Sequence, residues 1–224
     1  VKGHLSEIFD LQEAISSQIV ASLNLSQSGG GKSFTHKREI EDPRAYDVYL
    51  QARAEMAKRT AESFQRAEEL LNKAIGIIGP NPLLVSTQGH VLLSYNLLGI
   101  SPDPSYVVRA EDKLEQLAGL APHSRYTNLL RGIIRYKQGR IQEGIDNLKK
   151  VVETDPNNKE GLMFLSLLYL ISGYAHYAKP LLDRLLSIDP LEPTAHLMPG
   201  YVKFIMGDFE GAIPHYREAL DMAP

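Results

Sequence analysis

The 224-residue chain contains no cysteine and no tryptophan. Without cysteine there is no disulfide framework and no thiolate zinc centre, an absence compatible with a reducing or an oxidising compartment. Charge of one sign is lacking as well: 24 Lys and Arg against 27 Asp and Glu leave a formal net charge of −3. A dedicated nucleic-acid binder shows a strongly basic domain, so no nucleic-acid partner is expected. Long apolar runs are missing too. The most apolar stretch, Leu162–Ile171, is interrupted by Ser166 and is half the roughly 20 residues a bilayer helix needs, so no direct membrane insertion is expected. Nor do the first residues form a signal peptide, because Glu7, Asp10 and Glu13 stand where its uncharged segment would be. The chain opens on Val1 rather than Met and is read as a piece of a longer protein. What is present, 43% hydrophobic and 23% charged residues, is the composition of an ordinary folded domain.

Motifs that could carry chemistry fail on context. Ser26–Ser33 nearly spells a phosphate-binding loop, but Ser26 replaces its first glycine, and a helical pattern rather than a strand precedes it. The seven histidines include no His-x-x-x-His pair and no acidic partner at metal-ligand spacing. Glu68–Glu69 and Glu111–Asp112 are adjacent on helical patterns and so point about 100° apart, as solvated faces do. No nucleophile elbow is present. No catalytic residue, metal ligand or cofactor is expected, and the chain is not expected to be an enzyme. Arg125, Arg131, Arg135, Lys137 and Arg140 form a local basic face, read as a solvated helix surface or a dock for an acidic segment.

What is there instead is a repeat. Prolines fall at 122, 156, 190 and 224, each 34 residues from the last. Gly139, Gly173 and Gly207 precede theirs by 17; Gly132, Ser166 and Gly200 by 24; Gly144, Ala178 and Ala212 by 12. Leu117, Val151, Leu185 and Ala219 sit five before. Such a period marks paired helices. The small residues let the two helices of a pair approach closely. The glycines end the first helix in a left-handed cap. The prolines after Asp155 and Asp189 stop the second. A lone hairpin of this size cannot bury its apolar face, so the hairpins must stack.

Asn128–Gly132, Tyr136–Gly139 and Pro156, then Gly200, Gly207–Phe209, Ala212, Tyr216, Ala219–Leu220 and Pro224, carry a resemblance to the tetratricopeptide repeat (TPR) family. The resemblance implies an all-α, right-handed α-solenoid of about five TPR-like helical hairpins, spanning 44–224. Three regular repeats are expected at 125–156, 159–190 and 193–224. Two looser ones precede them, at 44–80 with small insertions near Lys58–Thr60 and at 81–122 with about nine extra residues around Ser101–Pro104. Before them, residues 1–27 carry an N-terminal amphipathic helix, with Ile8, Leu11, Ile15, Ile19 and Leu23 on one stripe, and 28–43 is a Ser/Gly-rich linker. Ile8–Ile15, with Asp42–Tyr46 and Tyr49–Leu50, resembles the junction between a TolB-like domain and C-terminal repeats in bacterial multidomain signalling proteins: adenylate cyclases, Ser/Thr kinases and winged-helix regulators.

In such arrays the first helix of each pair lines the concave side. That implies a partner-binding groove formed by Tyr49, Arg53, His90, Tyr126, Leu129, Ile133, Tyr136, Met163, Leu167, Leu197, Tyr201 and Phe204, with Glu160 and Thr194 also facing it. An aromatic and aliphatic lining takes an apolar helix or extended segment. The Lys, Asn and Arg with which some members clamp a chaperone's carboxylate tail are missing. The expected function is a non-catalytic protein–protein interaction scaffold or regulatory module of a larger bacterial signalling protein. The alternatives are a homo-oligomerisation module, giving a homodimer, and a ligand-sensing domain controlling a linked adenylate cyclase or kinase. The expected location is cytoplasmic, with the periplasmic side of a membrane-anchored parent as the alternative.

Overall fold

The computed structural model describes residues 39–190 and 193–222. The amphipathic segment expected in 1–27, most of the linker, and Pro224 lie outside them. The described residues form ten α-helices and no strand: α1 (Pro43–Ala57), α2 (Ala61–Ile78), α3 (Pro82–Leu97), α4 (Ser105–Leu120), α5 (Arg125–Lys137), α6 (Ile141–Thr154), α7 (Lys159–Ile171), α8 (Ala175–Ile188), α9 (Pro193–Ile205) and α10 (Phe209–Met222). Consecutive helices pack as five antiparallel pairs, and each pair packs on the next. This is the expected α-solenoid. Among the described residues no helix is long and apolar enough to cross a membrane.

The first helix of each of the first four pairs is capped by a side chain that satisfies free N–H groups. Asp42 accepts from the Arg44 and Ala45 amides and Asn81 from Leu83. Ser124 accepts from Thr127 and Asn158 from Gly161. The side-chain hydrogen bond from Arg44 holds the Asp42 carboxyl at about 2. Thr60 and Ser63 form a reciprocal capping box at the start of α2. Gly139, Gly173 and Gly207 take φ of 74°, 80° and 80°, the left-handed turn their spacing predicts.

The irregular repeats store their extra residues differently from expectation. The turn at 58–60 is three residues long, like those at 138–140, 172–174 and 206–208. The surplus in the first pair lengthens its helices to 15 and 18 residues, against 13 and 14 in the third. In the second pair a seven-residue turn, 98–104, takes part of the surplus and two 16-residue helices take the rest.

Small residues set the closest contacts. A Cβ on Gly132 would lie 2.7 Å from Leu148 Cγ and 3.3 Å from the Gly144 carbonyl oxygen, so α5 and α6 meet nearly backbone to backbone. Two large clusters build the core. Phe64, Leu71, Leu84 and Tyr95 lie in one, spanning α1 to α3. Leu92, Leu130, Ile134, Leu148 and Leu168 lie in the other, spanning α3 to α7. Beyond α7 burial thins to small groups around Leu170, Ala178, Leu182 and Met198 and around Leu162 and Leu185.

Candidate protein-interaction groove

The first helices of the five pairs, α1, α3, α5, α7 and α9, carry all twelve residues expected to line the groove. They do not all present surface. Leu129 and Ile133 are 6% and 1% exposed and belong to the core between α3 and α7. Tyr49 is buried in the first cluster, with its hydroxyl 3.4 Å from the Arg53 guanidinium that donates to it. All twelve stand on first helices, but neighbouring hairpins close over Tyr49, Leu129 and Ile133. Tyr126, Tyr136, Met163, Leu167, Leu197 and Tyr201 are half-buried, and Phe204 is 51% exposed.

Two polar constellations cross between hairpins on the N-terminal side. In the first, Glu160 at the start of α7 lies 3.9 Å from Arg53 on α1 and 3.5 Å from His90 Nδ1 on α3. Phe164, one turn along α7, meets the His90 ring edge-on at 6.2 Å between centroids. The fourth hairpin therefore touches the first directly, across more than 100 residues of sequence, and the second as well. Burial alone would raise the Glu160 carboxyl, but His90, then Arg53 and Lys159, outweigh it and hold the group at about 2.

The second constellation centres on Arg125, the first residue of α5. Its guanidinium donates to Glu39, to Asp155 Oδ2 at 3.1 Å and to the Tyr126 hydroxyl at 2.9 Å. The Glu39 carbonyl accepts from the Asn81 side chain at 2.7 Å, and Ile40 is buried beside α1. Burial pushes the Tyr126 phenol up, the Glu39 carboxylate adds to this, and Arg125 opposes it. Of the expected groove residues, Arg53 and His90 thus converge through Glu160, while Tyr126 joins the edge held by Glu39.

The remaining residues form an apolar surface over α5, α7 and α9. Tyr136 and Tyr201 lie close enough that Tyr201, after burial, adds to the upward shift of the Tyr136 phenol. Phe204 stacks edge-to-face on Phe209 at 5.4 Å. The sequence put Glu160 among the lining positions, but its pairing partners were not legible there. The one available signal was a lone carboxylate standing among the lining positions. Among the described residues no three His, Asp or Glu side chains converge as a metal site.

Residues 194–224 match the tetratricopeptide repeat family. The BBSome complex member BBS4 of Bos taurus is 34% identical over 109 residues, which is 49% of this chain and 21% of that protein. The chain therefore spans about a fifth of the length of the curated relative it matches. The crystal structure of TTC0263, a thermophilic TPR protein of Thermus thermophilus, superposes with a TM-score of 0.61 at 17% identity, covering 80% of this chain and 92% of that one. At that identity the likeness concerns the fold. The tetratricopeptide repeat match at 194–224 thus falls on the last described pair of a TPR-like α-solenoid whose last three pairs start 34 residues apart.

Proposed function

We propose that the chain is a protein-interaction module whose binding surface is the apolar stretch Tyr136, Met163, Leu167, Leu197, Tyr201 and Phe204. The observation that carries this reading is a run of half-buried aromatic and aliphatic side chains on three successive first helices, ending in the exposed Phe204, where Tyr49 and Leu129 at equivalent positions of earlier hairpins are buried. Such a surface gains affinity by burying a partner's apolar helix or extended segment. The matched relative is itself a complex member, which supports a scaffold role. Selection of displayed amphipathic helical peptides tests it. The native chain is expected to enrich peptides with apolar residues at i, i+3, i+4 and i+7. Tyr201→Glu with Met163→Glu is expected to enrich none while circular dichroism stays unchanged. Equal enrichment by the double variant sinks the reading.

The finer proposal places this module in a larger bacterial signalling protein, on the strength of the Ile8–Ile15 and Asp42–Leu50 resemblance. A ligand-sensing role beside an adenylate cyclase or kinase would follow from that parent. Homo-oligomerisation is favoured by a different observation: Phe204, Met206, Phe209, Ile213 and Leu220 leave large apolar area on the last pair. Light scattering across a concentration series separates this from a monomeric module.

A further inference from the structure

We infer that the apolar surface over α5, α7 and α9 is the docking site of the chain's own segment Leu5–Leu25. This rests on the proposed reading of that surface as a helix-binding groove and names its occupant.

The path of the chain at Glu39 points towards the groove. Traced backwards from the Asp42 cap of α1, Ile40 is buried beside the first pair. The Glu39 carbonyl is held by Asn81 at the start of α3, and its carboxylate by Arg125 at the start of α5. Four residues therefore step across the starts of the first, second and third hairpins in order. Glu39, the first of the described residues, is thus tied to the start of α5, the first of the three helices that carry the apolar surface. Arg125 is simultaneously bound to Asp155, the residue that ends the third hairpin.

The intervening chain is long enough to reach. Residues 26–38 number 13, and an extended chain covers about 3.3–3.6 Å per residue, so they span up to about 45 Å. Packed helices stand about 8–10 Å apart, which puts α9 within that reach of α5.

The segment also matches the surface in pattern. Ile8, Leu11, Ile15, Ile19 and Leu23 recur at spacings of three and four, with Glu7 before them and Asp10, Glu13, Ser17 and Gln18 between them. A 21-residue helix is about 31 Å long, enough to cross three first helices. Its single apolar stripe is what a groove of half-buried Tyr136, Leu167 and Tyr201 and exposed Phe204 takes.

The absence of native cysteine makes the test direct. The full chain carrying Ile15→Cys with Phe204→Cys is treated with a short bismaleimide and compared with Ile15→Cys with Leu50→Cys. Leu50 is 47% exposed on α1 and outside the groove stripe. The expected result is an intrachain cross-link, at monomer mass, in the Phe204 pair and several-fold less in the Leu50 pair. Leu11→Asp in the same chain should reduce the Phe204 cross-link several-fold and speed alkylation of a lone Phe204→Cys thiol by a similar factor. A cross-link at dimer mass overturns the inference in favour of a second copy. Equal yields in the two pairs overturn it outright. Either result leaves the peptide selection intact, whereas loss of peptide selectivity with a retained intrachain cross-link overturns the proposed partner binding and not the docking.

Discussion

In the first helical pair Ala45, Val48, Tyr49 and Ala52 face Phe64, Ala67, Leu71 and Ala74, all buried. In the last pair Met206 is 78% exposed, Leu220 68%, Phe209 60% and Phe204 51%. Yet the first pair departs from the 34-residue pattern and the last is the one that matches the repeat family. The repeat pattern describes what each hairpin needs internally: a glycine in the turn, small residues where helices cross, a stop after the second helix. Burial depends on the neighbours. The first pair has α3 above it and Ile40 laid against α1, while among the described residues α10 packs on α9. Regularity of sequence and completeness of packing are therefore separate properties.

The widest expected gap between the two regions is in core truncation. Leu71 is fully buried, so Leu71→Ala should lose about 2–5 kcal/mol. Leu220→Ala should change stability by less than about 0.5 kcal/mol. Urea unfolding followed by circular dichroism measures both, and equal losses would erase the contrast. Helix crossings give a narrower gap. Gly132→Ala pushes a methyl into Leu148 and towards the Gly144 carbonyl and should cost about 1–3 kcal/mol. At Gly200 the contacts are looser, 3.0 Å to His215 Cβ and to the rim of the Tyr216 ring, and Gly200→Ala should cost less.

Proline works in the opposite direction. Pro180, Pro199 and Pro214 stand inside α8, α9 and α10, where each removes a backbone hydrogen bond and crowds the preceding turn. The first seven helices contain none past their opening positions. Pro214 is exposed, so Pro214→Ala alters little packing. It should stabilise the last pair by about 1–3 kcal/mol, the helix-propensity gain less the extra freedom of the unfolded chain. Hydrogen exchange should show slower opening of α10. Unchanged exchange would place the weakness of this region in its uncovered face alone.

The solenoid was legible because its determinants are local and recur. Gly139, Gly173 and Gly207 do the same work at the same φ. The helix carrying each expected lining position was legible for a related reason, since from Tyr126 onwards these positions recur at 34. Exposure was not. Leu129, Met163 and Leu197 hold equivalent positions, yet Leu129 is core and the other two are half-buried, because exposure is set by how many hairpins close over each site. The internal prolines at 180, 199 and 214 follow no 34-residue interval, unlike the series at 122, 156, 190 and 224. The ion cluster escaped because it joins repeats one, two and four. A 34-residue period predicts contacts between adjacent hairpins and says nothing of contacts that skip one.

That skipping contact offers the smallest expected effect and the finest probe of the two regions. Glu160 is held at about 2, below its ordinary 4.5, so the folded state favours its charged form. The resulting stability is present above about pH 4.5 and is lost as pH falls through the folded value near 2. The carboxylate is partly exposed, as are His90 and, more so, Arg53, which limits the gain to about 1 kcal/mol. Glu160→Gln should therefore be slightly less stable than the native chain at pH 7, with the difference closing on acidification towards pH 3. Asp42 titrates over the same range but is common to both chains and cancels. Because Glu160 binds α1 and α3 from α7, the variant should speed hydrogen exchange in α1 as well as in α7. Faster exchange in α7 alone would mean that the ion pair decorates the groove without coupling its well-packed N-terminal hairpins to the looser C-terminal ones.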